Sequence, residues 1–123
     1  MSKVFRSRPF TRWMRRAGLN DEALLHAVSE MEQGLVDADL GGGVLKKRVA
    51  LPGRGKRAGA RTIVATRMAQ QWFFLYGFEK NERANINRAE LKALQEYAKT
   101  LLELDAAQLA ALVSAGEMTE VVA

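Results

Sequence analysis

The order of the periodic segments is the strongest constraint on the fold, because strand-like segments are grouped in the middle of the chain between helix-like segments. Apolar alternation, or runs of β-branched and aromatic residues, mark strands at 44–51, 62–66 and 72–76. The short linker 68–71 predicts a hairpin turn between the last two. Strands grouped between helices predict an α+β fold built around a three-stranded antiparallel meander.

Two helices are predicted before these strands and two after them. The first ends at Gly18, and the second begins after the N-cap residue Asn20. Asn87 opens the third, and Asp105 caps the fourth. The apolar face of the first helix comprises Phe10, Trp13, Met14 and Ala17. That of the second comprises Leu24, Leu25, Val28, Met31 and Leu35.

These elements predict a small antiparallel sheet with the N-terminal helices on one face, joined by the C-terminal helices, and with the other face free for basic residues. Short strands are expected at Val4–Arg6 and, as an edge strand, at Met118–Val122. A length of 123 residues with 48% apolar content predicts a single domain, residues 1–123.

Composition excludes several classes of site. The chain has no cysteine and one histidine, His26, so disulfides, thiolate metal sites and His-rich zinc sites are excluded. His26 falls away from the apolar face of its helix and is expected at the surface. No metal and no cofactor are expected. Neither a membrane-spanning run nor a signal-peptide core is present, which predicts a cytoplasmic protein with no membrane partner.

Positive charge is concentrated in residues 44–67, which hold eight of the nineteen basic residues and no Asp or Glu. These eight are Lys46, Lys47, Arg48, Arg54, Lys56, Arg57, Arg61 and Arg67. Charge concentrated in one strand-loop-strand segment is typical of a surface that binds a polyanion. The alternative is a solvated edge strand on which lysines only prevent aggregation. The absence of any acidic residue favours phosphate binding.

Strand geometry predicts how these cations converge. Lys46 and Arg48 lie two residues apart on one strand, so their side chains share a face roughly 7 Å apart, about the spacing of successive phosphates. Arg61 enters the next strand, and Lys80 and Arg83 follow the third. The loop after Pro52 is not a P-loop, because its lysine is followed by Arg57 and a strand instead of Ser or Thr and a helix. Nucleotide hydrolysis is therefore not expected.

Other polar and aromatic residues have less specific interpretations. Alternation places Trp72, Phe74, Tyr76 and Phe78 on one strand face, where an apolar core is the favoured interpretation over base stacking. Tyr76 is singled out because its hydroxyl is a candidate proton donor or phosphate ligand. Glu79 and Glu82 are expected to form local ion pairs with Lys80 and Arg83.

A site rich in Arg and Lys and poor in general bases is compatible with one RNA reaction. The 2′-hydroxyl of RNA attacks the adjacent phosphate and gives a 2′,3′-cyclic product. The protein orients the backbone, stabilises the phosphorane charge with cations, and accepts the 2′-hydroxyl proton through a lysine, without a metal ion.

Three motifs in order resemble the RelE/HigB-type toxins of bacterial type II toxin–antitoxin systems. They are KRVA at 47–50, GKxxGxRTIV at 55–64 and FxYGFxKNER at 74–83. The resemblance implies a microbial-RNase-like fold and cleavage of mRNA in the A site of the 30S ribosomal subunit, in contact with 16S rRNA. It also implies inhibition by a cognate antitoxin, expected to be a helix-turn-helix protein.

The resemblance also implies residue roles. Lys46 and Arg48 match the strand cations that act on the 2′-hydroxyl and the scissile phosphate, and Arg61 matches the arginine that stabilises the transition state. The proposed catalytic set is Lys46, Arg48, Arg61, Tyr76 and Lys80. The proposed RNA-binding set is Lys47, Arg54, Lys56, Arg57, Arg67 and Arg83.

The chain departs from the best-studied members at two positions. Asn81 replaces an arginine, and Asn87 replaces a tyrosine that acts as general acid. Tyr76 or Lys80 then remains as the proton donor. Two alternatives stay open at this point: a ParE-like toxin that blocks DNA gyrase without catalysis, and an RNA-binding remnant that has lost catalysis.

Overall fold

The computed structural model describes residues 2–53, 59–68 and 70–123. The described residues form six strands and four helices, an α+β fold as predicted. The strands are β1 (Lys3–Ser7), β2 (Ala38–Gly41), β3 (Val44–Val49), β4 (Ala60–Arg67), β5 (Gln71–Glu79) and β6 (Met118–Val121). The helices are α1 (Arg8–Ala17), α2 (Asp21–Glu32), α3 (Arg88–Leu102) and α4 (Ala106–Ser114).

The strands form one sheet in the order β2-β3-β4-β5-β1-β6. The meander β3-β4-β5 is antiparallel, as predicted, and β6 is an edge strand that pairs antiparallel with β1. The sheet is mixed and not wholly antiparallel, because β1 pairs with β5 in parallel. A parallel neighbour needs a long connection, and the whole segment from α1 to β4 provides it.

Helices cover both faces of the sheet, so the expectation of one wholly free face is wrong. One core packs α1 and α2 against Val64, Trp72 and Phe74, and the other packs α3 and α4 against Ile63 and Phe73. The central strands β4 and β5 are apolar on both faces, and such strands are stable only when both are covered.

The helix boundaries follow the predicted capping residues. Asn20, Asn87 and Asp105 accept hydrogen bonds from the first turns of α2, α3 and α4, and Gly18 ends α1 in the left-handed conformation at φ 81°. The predicted burial of Leu35 is wrong, because α2 ends at Glu32 and Leu35 is exposed. None of the helices in the described ranges has the length and apolarity that crossing a bilayer requires.

Strand β2 was not predicted from sequence. Its four residues, Ala38–Gly41, contain one large apolar side chain, that of Leu40, so they show no apolar alternation. The glycines that follow turn the chain into a hairpin with β3, and Gly41, Gly42 and Gly43 all have positive φ angles. The glycine run therefore marks a turn between two strands.

Gly77 lets α1 pack directly on the backbone of β5. A Cβ atom at this position would lie 2.4 Å from Cε3 of Trp13. We expect Gly77→Ala to lower the free energy of unfolding by about 1–3 kcal/mol, because the indole must move within a packed core. Urea unfolding measures this change. Ala17→Gly on α1 is a control for local helix loosening, and wild-type stability in Gly77→Ala would contradict the close packing.

Candidate active site

Two rungs of the meander bring the predicted cations together. Here a rung is a set of residues paired across neighbouring strands. In one rung Arg48 lies opposite Arg61, which lies opposite Phe78. In the next rung Lys46 lies opposite Ile63, which lies opposite Tyr76. Side chains paired across strands point to the same side of a sheet. The polar members, Lys46, Arg48, Arg61 and Tyr76, are called the cationic face below.

The cationic face lies at the open end of the sheet face that α3 covers. Along β3, Val44 is buried, Lys46 is half-buried and Arg48 is exposed. Arg48 therefore marks the end of the helical cover. A polyanion has access to these side chains from this end.

A β-bulge in β5 places Tyr76 on the cationic face. The pairing of β4 with β5 shifts between Ile63 and Val64, so that Leu75 is the extra residue. Trp72 and Phe74 consequently pack in the core beneath α1, whereas Tyr76 and Phe78 lie on the opposite side. The prediction that the four aromatic residues share one face is wrong, because a bulge reverses the alternation that the prediction assumed.

Arg61 is a buried cation with an unsatisfied donor. Its residue surface is 8% exposed, and its Nη1 atom is buried without a hydrogen-bond partner among the described residues. Most buried polar groups in proteins are hydrogen-bonded, since an unpaired one costs about 1–3 kcal/mol. An anion that reached this guanidinium would satisfy the donor and the charge together.

Asp37 fixes Arg48 at the rim of the site. Its Oδ1 atom lies 3.3 Å from Nε of Arg48, and its Oδ2 atom accepts a hydrogen bond from the Arg48 backbone at 2.6 Å. The Arg48 side chain remains 47% exposed. The carboxylate therefore orients the guanidinium while leaving much of it open to solvent.

Arg83 links Tyr76 to the start of α3. Its Nη1 atom donates to the Tyr76 hydroxyl at 3.1 Å and to Glu90 at 2.8 Å, and its Nη2 atom donates to the other Glu90 oxygen at 2.5 Å. Its guanidinium also lies 5.8 Å from the centre of the Phe78 ring. Arg83 was expected to form an ion pair with Glu79 or Glu82. Instead, the carboxylate of Glu90 binds it in a bidentate geometry.

The same contacts shift two pKa values. The hydrogen bonds to Glu90 are the main reason that the pKa of Arg83 is raised above its ordinary value, so Arg83 stays charged. The pKa of Glu90 is lowered, chiefly by the hydrogen bond from Arg83 and then by that from the backbone of Asn87. The network is therefore an ion pair throughout the neutral range.

We expect the stability of Glu90→Gln to fall less steeply with decreasing pH than that of wild type. A carboxyl group with a depressed folded pKa contributes stability above its unfolded pKa of about 4.3, and loses it as the pH falls through the folded value. Gln keeps the capping geometry and removes this contribution. Thermal unfolding between neutral pH and about pH 2 tests it, with Glu96→Gln on the exposed side of α3 as control. If the stability of Glu90→Gln fell as steeply in acid as that of wild type, the contribution assigned to the Glu90 carboxylate would be contradicted.

Asn87 has a structural role. Its side chain accepts from the Glu90 backbone at 2.8 Å, and its own backbone donates to the Glu90 carboxylate at 2.8 Å. Glu90 thus belongs both to the capping box and to the Arg83 pair. The resemblance matched Asn87 to a general-acid tyrosine, and in the structure Asn87 caps α3.

Two predicted RNA-binding residues lie away from the cationic face. Lys47 points to the opposite side of β3, is 3% exposed, and binds Glu30 at 3.2 Å and the Leu35 carbonyl at 2.9 Å. Arg67 lies at the far end of β4, six residues from Arg61, which corresponds to roughly 20 Å along a strand. Neither side chain therefore lies beside Arg61.

Of the remaining predicted residues, one lies near the cationic face and three lie outside the described residues. Lys80 is exposed in the turn after β5, beside the Arg48–Arg61–Phe78 rung. Arg54, Lys56 and Arg57 lie outside the described residues. The roles assigned to all these residues stay predictions. His26 is exposed, as expected, and faces Glu30 across one helical turn.

A cavity of about 320 Å³ opens beside the cationic face. It lies along the part of β5 that follows Phe74, where β1 no longer pairs with β5. Its lining comprises Pro9, Trp13, Arg16, Tyr76, Gly77, Phe78, Glu82 and Arg83. The cavity therefore shares Tyr76 and Arg83 with the candidate active site.

Sequence reasoning missed Asp37, Glu90 and the contribution of α1. A usable signal for α1 exists, since residues 3–16 contain six basic residues and no acidic ones. It was hidden because the acidic residues of α2 and β2 balance the charge of the N-terminal third. Within the described ranges, no group of three or more His, Cys, Asp or Glu side chains is arranged to hold a metal ion.

The comparison with protein families agrees with this arrangement. The model of a family described as the RelE toxin of the RelE/RelB toxin–antitoxin system matches residues 2–121. This span includes every described strand and helix, from Lys3 to Val121. The match confirms the resemblance inferred from the three motifs. No curated protein matches the sequence.

Proposed function

The chain belongs to the RelE toxin family of the RelE/RelB toxin–antitoxin system, and from this premise we propose that it is a ribosome-dependent endoribonuclease that cleaves mRNA without a metal ion. As a toxin of such a system it has an antitoxin as its partner. The proposal concerns the reaction, the ribosomal A site with its 16S rRNA as the place of action, and a helix-turn-helix protein as the antitoxin.

The single observation that carries the proposal is Arg61. It is a buried guanidinium whose Nη1 atom has no hydrogen-bond partner in the described part of the chain, at the open end of a sheet face that also presents Lys46 and Arg48. A site that binds only a protein surface has no need to leave a buried cation unpaired. A phosphorane, whose oxygens gain negative charge during the reaction, supplies the missing acceptor.

Residues of both rungs take part in the proposed reaction. The 2′-oxygen of the substrate forms a bond to phosphorus, and the bond from phosphorus to the 5′-oxygen breaks, which leaves a 2′,3′-cyclic phosphate and a 5′-hydroxyl. Arg61 and Arg48 stabilise the charge on the non-bridging oxygens. In this proposal Lys46, in its neutral amine form, accepts the 2′-hydroxyl proton. Lys46 and Tyr76 lie two strands apart, roughly 10 Å, which leaves room for a phosphate between them.

Tyr76 is the favoured proton donor to the leaving 5′-oxygen. Arg83 donates to the phenol oxygen at 3.1 Å, so the O–H group of Tyr76 remains able to donate in turn. The positive charge of Arg83 also stabilises the phenolate that forms when the proton leaves. Lys80, which is exposed in the adjacent turn, is the second candidate for this step.

Induced expression in a bacterial host tests the proposal. Primer extension on a reporter mRNA should reveal cuts within translated codons, and mutation of the start codon of the reporter should abolish them. The cut fragments should carry a 5′-hydroxyl. Growth arrest without cuts, accompanied by gyrase inhibition, would replace the proposal with a ParE-like activity. Absence of any growth phenotype would indicate an RNA-binding remnant.

A further inference from the structure

The cavity beside the cationic face has the size and composition of a subsite for a planar ring. Its volume of about 320 Å³ is at the small end of the range of about 300–1,000 Å³ that is usual for small-molecule pockets. Three aromatic residues line it, Trp13 on α1 and Tyr76 and Phe78 on β5. The rings of Trp13 and Phe78 are buried, whereas that of Tyr76 is half-buried and is the surface on which an unstacked RNA base can pack.

Charged groups surround these rings in a pattern that suits a nucleotide. Arg16 and Arg83 line the cavity together with the aromatic side chains. A guanidinium plane stacks on bases and also binds phosphate, whereas a purely apolar ligand would gain nothing from either arginine. The nearby Arg61 lies in the same rung as Phe78, so a base in the cavity has its phosphate beside the cationic face.

Glu82 adds a hydrogen-bond acceptor at the cavity wall. Its Oε1 atom accepts from the Glu79 backbone at 3.1 Å, which fixes the carboxylate against the turn after β5. A carboxylate accepts hydrogen bonds but donates none, and it can accept several. It therefore favours bases with an exocyclic amino group, such as cytosine, over uracil, which presents a carbonyl oxygen at the same position.

We propose that the cavity lined by Trp13, Arg16, Tyr76, Phe78, Glu82 and Arg83 binds one base of the mRNA next to the scissile phosphate, and that Glu82 selects a base with an exocyclic amino group. The inference rests on the proposed function, because it takes RNA as the ligand. It adds a specificity subsite and brings α1 into contact with the substrate.

Binding of uncleavable RNA tests the subsite independently of catalysis. The probes are tetranucleotides of 2′-O-methyl cytidine and 2′-O-methyl uridine, which lack the attacking hydroxyl and differ in the group at C4. Tryptophan fluorescence reports binding, because Trp13 lines the cavity, whereas Trp72 does not; both are buried in the core. Wild type should bind the cytidine probe about tenfold more tightly, the effect of one hydrogen bond to a charged acceptor. Equal binding of both probes would overturn the role of Glu82.

Matched variants separate the subsite from general charge attraction. Arg16→Ala should weaken both probes several-fold, whereas Arg15→Ala, an equally exposed neighbour on α1 outside the cavity, should leave both within twofold of wild type. Glu82→Gln keeps an acceptor for the Glu79 backbone but adds a donor, so it should remove the discrimination between the probes. Equal effects of the two arginine variants would overturn the subsite.

Mapping of cut sites in cells distinguishes failure of the subsite from failure of the proposed function. Wild-type cuts should be depleted of uracil at one fixed position, and Glu82→Gln should abolish the depletion. Cuts with no such depletion would leave the nuclease intact and refute the subsite. Probe discrimination without any cuts would support the subsite and refute the nuclease. Loss of antitoxin binding in Arg16→Ala, with unchanged probe binding, would assign the cavity to the antitoxin.

Discussion

Arg61→Ala should reduce the rate of mRNA cleavage by about 10²–10³-fold, the usual effect of removing one preorganised donor to a transition-state oxyanion. The guanidinium is already desolvated before substrate arrives, so its charge acts strongly on the developing oxyanion. Single-turnover cleavage on purified ribosomes programmed with a defined codon measures the rate. Binding of the antitoxin to the variant shows that the fold is retained.

Two further variants sharpen this expectation. Arg61→Lys keeps the charge but loses the planar fork, so it should remain at least about tenfold slower than wild type. Arg67→Ala removes an arginine from the far end of the same strand, outside the cationic face, and should cleave at the wild-type rate. A rate for Arg61→Ala within twofold of wild type would remove Arg61 from the mechanism.

Glu30→Ala should lower the free energy of unfolding by roughly 3–5 kcal/mol, because it leaves the Lys47 ammonium buried without its carboxylate. The Lys47 side chain is 4% exposed, and Glu30 lies 3.2 Å from its Nζ atom. The carbonyl of Leu35 still accepts one hydrogen bond but does not neutralise the charge. Denaturant unfolding monitored by circular dichroism measures the difference.

The control for this prediction replaces both partners. Glu30→Leu combined with Lys47→Met fills the same space with apolar groups and should return the stability to within about 1–2 kcal/mol of wild type. Glu32→Ala, at an exposed position near the end of α2, should change stability by less than about 0.5 kcal/mol. If Glu30→Ala were as stable as Glu32→Ala, the buried ion pair would have no structural importance.

Local signals predicted most of the helices, because each signal and its effect lie within a few residues. Asn20 and Asp105 cap the helices that they were expected to cap, and Asn87 forms its capping box with Glu90. The hairpin between β4 and β5 was also predicted from a short linker. Strand β2 was missed because a four-residue strand with a single large apolar residue, Leu40, is too short to show periodicity.

The candidate site was only partly predictable, because its geometry depends on pairings between distant segments. Alternation correctly placed Lys46 and Arg48 on one face of β3. Lys47 was predicted to bind RNA, and the packing of α2 shows instead that it is buried against Glu30, which neutralises it. The bulge that carries Tyr76 to the cationic face has no local marker in the sequence, since Leu75 is an ordinary strand residue.

The central position of β1 has a consequence for how the protein forms during synthesis. Val4 pairs with Trp72 on one side and with Val121 on the other, so the first strand to be translated gains its last neighbour only when the final strand emerges. The hairpins of β3, β4 and β5, by contrast, are short-range contacts that form early. A nascent chain therefore forms the two rungs of the cationic face before its sheet is complete.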